Sequence, residues 1–435
     1  MALLAIPTFA FAQAGELQTQ PGQFALKLSG FQNLDLSDAT RHAGGGNSES
    51  EVEIGPQYRT SSGVVIAARA VLNLEAQTSL GGSGSAWSFT EPELSIFAIG
   101  PFGRVELGDR AGFPQSLVGF TPSEIAFTAA EFGPDSGSRL DPNGHLPTEF
   151  LPRALGDRIN GVTYLGYAER FYDDRSPKLI YVSPRSRSGV YGAISYTPRT
   201  DVDGGGFMLA DGARIPASRL DDTVNPGAFR NVVQAALVWN YRTEWLDLST
   251  GATFSDASAV SDPPSPFSPN PSAVLRRSDS LSSGVSATLY DTWAFGLSGT
   301  YDGFSQQRTV SGDSGGTTSP YGVVTSLNYV NGPWVIGGYY QHAVGDNLAA
   351  ESPGLGNISA GGSDFALHRD TLNIGELGAS YLVDKNHDLL GAGHYTDIKL
   401  YASVYLYNFH GQGAPELDPS QNGSIFIAGA RFSFF

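Results

Sequence analysis

Apolar and polar residues alternate with a period of two along this chain, in segment after segment of strand length, and no run of 18 apolar residues interrupts the pattern. Successive side chains of a β-strand point to opposite faces, so each such segment has one apolar and one polar face. The clearest is 63–76: Val64, Ile66, Ala68, Ala70, Leu72, Leu74 and Ala76 share one face, while Arg69, Asn73 and Glu75 take the other, a parity continued by Gln77. Residues 23–36 repeat it, with Phe24, Leu26 and Leu28 opposing Lys27 and Asp35. In 395–408, Ile398, Leu400, Ala402, Val404 and Leu406 oppose Lys399, Tyr401, Ser403, Tyr405 and Tyr407. The last ten residues set Phe426, Ala428, Ala430, Phe432 and Phe434 against Ile427, Gly429, Arg431 and Ser433. Alone, that ending would suit an edge strand of a soluble sandwich equally well.

The number and spacing of the segments decide between these readings. Alternating segments lie near 23–36, 49–59, 63–76, 88–99, 103–109, 177–184, 188–198, 229–241, 245–255, 280–290, 293–304, 320–330, 333–343, 370–382, 395–408 and 424–435, which makes 16. Most have room for the roughly 9 to 11 residues that a tilted membrane strand needs. Their connections alternate in length. Short links at 60–62, 100–102, 184–188, 242–244, 291–292 and 331–332 are interleaved with long ones such as 199–228, 256–279, 306–319 and 344–369. One link, 383–394, falls on the short side yet is long. The pattern predicts an all-β fold, a 16-stranded antiparallel transmembrane β-barrel with short turns at one rim and long loops at the other. An even strand number brings both termini to the short-turn rim, where the first and last strands can pair and leave no free edge. Trp87, Trp239, Trp245, Trp293, Trp334 and Tyr329, near strand ends, are candidates for aromatic girdles.

Composition agrees. The 435 residues include 54 Gly, with 25 Phe and 19 Tyr, as many strands joined by Gly-rich turns require. Mean hydropathy is slightly negative, too polar for a helical membrane protein but suited to a barrel in which only every second strand residue meets lipid. No cysteine is present, so there is no disulfide framework, thiolate metal site or thiol nucleophile. A net charge of −17 argues against a nucleic-acid partner, which would need clustered cations. Arginine outnumbers lysine 22 to 4, a bias that suits bidentate contacts in a polar lumen and that high-GC codon usage would also produce. The apolar stretch Ala2 to Phe11 ends in an A-x-A site, Ala10-Phe11-Ala12, and reads as a signal peptide over 1–12 that lacks its basic end, with 13–435 forming one barrel domain.

Catalytic and metal motifs do not hold up. Gly312-Asp313-Ser314-Gly315-Gly316 looks like the nucleophile signature of chymotrypsin-like serine proteases and Thr128-Ala129-Ala130 like their histidine segment, but Glu131 stands where the base must be. The acidic turns at 201–204 and 418–423 lack a full calcium ligand set, and the seven histidines have no metalloprotease spacing. The chain is not expected to be an enzyme, and no cofactor or metal is implied.

Three segments resemble the 16-stranded general porins of Gram-negative bacteria, most closely the alphaproteobacterial porins. Leu94 to Arg110 is similar to the porin strand pair around a Gly-x-Phe-Gly turn, here Gly100-Pro101-Phe102-Gly103. Pro177 to Arg185 followed by Gly189 to Tyr196 is similar to the next pair, and the aromatic C-terminus is the third. The chain departs from the family in ending on two phenylalanines, which moves the outward terminal aromatic to Phe434. The resemblance implies a multi-pass barrel in the outer membrane of a Gram-negative bacterium. That barrel would be a homotrimer passing small hydrophilic solutes and ions by diffusion. Its implied contacts are outer-membrane lipid and lipopolysaccharide, and the barrel-assembly machinery through the C-terminal strand. It also implies that the third long connection, roughly 110–176, folds inward. The resulting constriction draws on Lys27, Arg59, Arg69, Arg104 and Glu106 from early strands and on Glu124, Glu131, Asp135 and Asp141 from the loop. Opposed carboxylates and guanidinium groups there would set a transverse field. A channel selective for sugars or phosphate, hinted at by the Tyr401, Tyr405 and Tyr407 ladder, and a secreted β-rich adhesin or barrel enzyme are the alternatives. Anion or cation preference stays open.

Overall fold

The computed structural model describes residues 22–39, 42–79, 85–110, 176–199, 229–259, 274–301, 306–308, 320–347, 368–387, 396–410 and 420–434. Every regular element among them is a strand: β1 (Phe24–Ala39), β2 (His42–Arg59), β3 (Val65–Ser79), β4 (Ser85–Gly100), β5 (Gly103–Asp109), β6 (Pro177–Val182), β7 (Val190–Arg199), β8 (Phe229–Arg242), β9 (Leu246–Ala259), β10 (Val274–Leu289), β11 (Trp293–Tyr301), β12 (Gln306–Arg308), β13 (Tyr321–Asn331), β14 (Trp334–Asn347), β15 (His368–His387), β16 (Thr396–His410) and β17 (Ser420–Phe434). Apart from β12, which pairs with β10 while β11 pairs on to β13, each strand pairs antiparallel with its neighbour in sequence, and β17 pairs with β1 from Gly30↔Phe434 to Ala39↔Ile425, so the sheet closes on itself. Strands β11 and β12 lie in succession along the same partner, β10, which makes sixteen positions around the ring. Closure satisfies each ladder from both sides, as a backbone in hydrocarbon requires.

Every predicted segment contains an observed strand, and many of the strands run further than predicted toward the long connections. β2 begins at His42 and β10 at Val274, so the residues before Glu49 and Ser280 are already paired. The long short-side link at 383–394 is corrected in the same way. β15 continues to His387 through register irregularities at Leu382/Asp384 and Asp384/His387, so five of those residues are strand.

Residue parity around the ring follows the predicted faces. On β17 Phe426 and Phe432 face outward and exposed while Ile425, Ile427 and Arg431 face inward and buried; the side chain of Phe434 lies outside the described residues. On β16 Leu400, Val404 and Leu406 face out, and Tyr401, Ser403, Tyr405 and Tyr407 face in. Outward leucine, isoleucine, valine and phenylalanine form the apolar band that a lipid-spanning barrel presents.

Below that band, at the short-turn rim, aromatic residues pair, in two cases across neighbouring strands. Trp293 lies opposite Tyr329, with ring centroids 4.8 Å apart, and Trp334 opposite Tyr381, at 4.7 Å. Trp239 stacks on Tyr241 at 5.9 Å, and Trp245 meets Tyr290 at 6.3 Å. These are four of the predicted girdle tryptophans together with Tyr329; the side chain of Trp87 lies outside the described residues. The β10–β11 turn is tight: Thr292 N–H donates to Leu289 C=O at 3.0 Å, and both central residues, Tyr290 and Asp291, have φ of 53°. That type I′ geometry matches the twist of the strands it joins.

Candidate functional site

The charged residues singled out in the sequence come together on one inner wall, formed by β1 to β6. In-register rows place small residues beside long ones there: Gly55 lies opposite Lys27, Ala67 opposite Gln57 and Phe97, and Gly108 opposite Ser95 and Lys178. The gaps leave space over the sheet into which charged side chains extend diagonally.

Two groups result. In the first, Arg69 lies between two carboxylates: its Nε is 3.2 Å from Glu53 Oε2, and its NH1 donates to Glu93 Oε2 at 2.7 Å. Lys27 Nζ approaches Glu53 Oε1 at 3.9 Å. Arg69, Glu53 and Glu93 are all buried, and Glu51 lies buried on the same inner face. In the second, Glu106 is the hub. It accepts from Ser95 Oγ at 2.6 Å and from Arg110 NH1 at 3.0 Å on both carboxylate oxygens, and Arg104 NH2 stands 2.8 Å from its Oε2. The Arg104 guanidinium also lies 3.9 Å over the Phe97 ring. Buried ions are tolerated when paired and hydrogen-bonded in this way.

Of the predicted residues, Lys27, Arg69, Arg104 and Glu106 lie within these groups. Arg59 also faces inward, in the row of Val65, Ile99 and Arg104, but six residues along β2 from Glu53, roughly 20 Å by strand rise. Glu124, Glu131, Asp135 and Asp141 lie outside the described residues. Sequence reasoning missed Glu53, Glu93 and Arg110. Their signal was available: Glu51-Val52-Glu53-Ile54 alternates as clearly as Arg69 does, and Arg110 has the inward parity of Arg104 and Glu106. On the β17 side, Arg431 lies 4.0 Å over Phe31 and donates from Nε to Ser433 Oγ at 3.2 Å.

A closed barrel with an apolar outer band, a rim girdle and a charged inner wall is the architecture of an outer-membrane channel. The family model for Gram-negative porins matches residues 1–412, and the chain belongs to that family. It is thus an outer-membrane porin of a Gram-negative bacterium, and family and fold point to a channel rather than an enzyme. Among solved structures it is similar to a triple mutant of the Rhodopseudomonas blastica porin, at 14% identity and a TM-score of 0.44. It is also similar to an anion-selective porin from Comamonas acidovorans, at 13% and 0.48. Each similarity covers 94% of this chain and 100% of the other. No curated protein matches the chain.

Proposed function

We propose that this porin passes small hydrophilic solutes and ions by passive diffusion, through a lumen whose neck is governed by the charged inner wall of β1 to β6. The observation that carries this reading is the Arg69 and Glu106 groups: fixed, paired charges on one wall, with no metal or nucleophile needed. Charges held at a narrow point orient a polar solute, while an apolar one loses hydration without compensation. The acidic partners Glu124, Glu131 and Asp135, in the connection after Arg110, complete the proposed constriction from the other side. The working assembly is a homotrimer in contact with lipid and lipopolysaccharide. Residues 1–12 serve as its export signal, and the C-terminal aromatic strand is its address for the barrel-assembly machinery.

Conductance across a planar bilayer under a salt gradient tests the proposal. Discrete channel steps are expected, and their absence would remove the diffusion reading. Neutralising Arg69 or Arg104 to Gln is expected to move the reversal potential toward cation selectivity. An unchanged potential would take both residues out of the neck.

A further inference from the structure

The two groups on the inner wall differ in what they present to a passing ion. In the first, Lys27 and Arg69 face Glu53 and Glu93 in a connected set of contacts at 2.7 to 3.9 Å, two cations against two carboxylates. In the second, Arg104 and Arg110 share the one carboxylate of Glu106, at 2.8 and 3.0 Å. A cation and a carboxylate about 3 Å apart act on an ion several ångströms away as a dipole, whose potential dies off faster than that of a single charge. Among the described residues the second group has an excess of one positive charge, and at 0.1 M salt its influence reaches about 10 Å into the water.

Resting on the reading of this wall as the channel's neck, we infer that Glu53 and Glu93 are specificity-determining residues: they mask Lys27 and Arg69, and leave the excess of positive charge among these contacts with the Glu106 group. Two consequences separate this from a wall of simple basic residues. Removing an acidic side chain must change selectivity as strongly as removing a basic one, and in the opposite direction. The change must also come from charge alone, because Glu93→Gln is nearly isosteric and its amide oxygen can still accept from Arg69.

The test is the reversal potential of Glu93→Gln and Glu53→Gln single channels in a planar bilayer under a potassium chloride gradient, beside the unaltered protein. Each is expected to raise the anion-to-cation permeability ratio by about two- to fivefold, the size that a unit charge roughly 8 Å from the ion path gives in screened water. Single-channel conductance should stay close to that of the unaltered protein, which shows that the barrel is intact. Glu93→Asp, which keeps the charge, should leave the ratio unchanged and so serves as the second variant. Normal channel steps with an unmoved ratio in both Gln variants would overturn the inference while leaving the diffusion channel standing. Loss of steps in the unaltered protein would instead remove the channel reading itself.

Discussion

Gly108 sits between the inward residues Glu106 and Arg110 with a φ of +142°, and a Cβ there would collide with the Leu94 carbonyl and with Ser95. This glycine lets β4 and β5 come close enough for Ser95 to reach Glu106. Gly108→Ala is expected to destabilise the barrel by about 1 to 3 kcal/mol, read as a lower urea midpoint in lipid vesicles. A midpoint unchanged within error would show that the strand pair relaxes without cost. The wall's basic residues were legible in the sequence because a cation inside an alternating run has no place on a lipid face. Its carboxylates were less so. Glu53 and Glu93 follow the same parity, but sequence does not show which polar inward residues lie diagonally across neighbouring strands, and that depends on register. The register in turn turns on details such as the shift between Val71 and Asn73 on β3.

Strands were found where lipid imposes the pattern and cut short where it does not. Residues 42–48 (HAGGGNS) have no apolar alternation, yet they continue the β1–β2 ladder down to Ala39↔His42. Past the apolar band a strand needs only its backbone pairing, so composition stops signalling it. The same reason moved the end of β15 from 382 to His387. Within the band the outward face is strict: replacing Leu406, an outward and exposed residue of β16, with Arg should cost about 2 to 4 kcal/mol if it lies at mid-depth. Its reversible unfolding into urea from vesicles measures this, and a loss below 1 kcal/mol would place it at an interface. At the rim, a double-mutant cycle of Trp293→Ala and Tyr329→Ala should return a coupling of about 0.5 to 1.5 kcal/mol. Zero coupling would reduce this contact of the girdle to proximity alone.

At the scale of the whole ring, sixteen positions and closure were readable from strand number and link length, because an even meander must return to its starting rim. The register of closure was not readable, since any even slip of β17 along β1 keeps the aromatic face outward. The structure pairs Leu36 with Ala428. As the chain has no cysteine, Leu36→Cys with Ala428→Cys introduces the only thiol pair. Mild oxidation should cross-link it quickly in the assembled barrel, while the offset pair Leu36→Cys with Ala430→Cys should link far more slowly. Equal rates would mean a seam in another register.

That seam also sets the order in which the molecule can form. Every other ladder joins strands that are close in sequence, adjacent or one short strand apart, so each can zip up as a hairpin as soon as its two strands exist. The β1–β17 ladder joins residues about four hundred apart. Bringing its ends together costs roughly 3 kcal/mol more in chain entropy than closing a loop of a dozen residues, at about 0.6 kcal/mol for each doubling. Until that step the partly built sheet has two open edges, each able to pair with another chain. The last ladder to form is therefore both the slowest and the one on which aggregation depends.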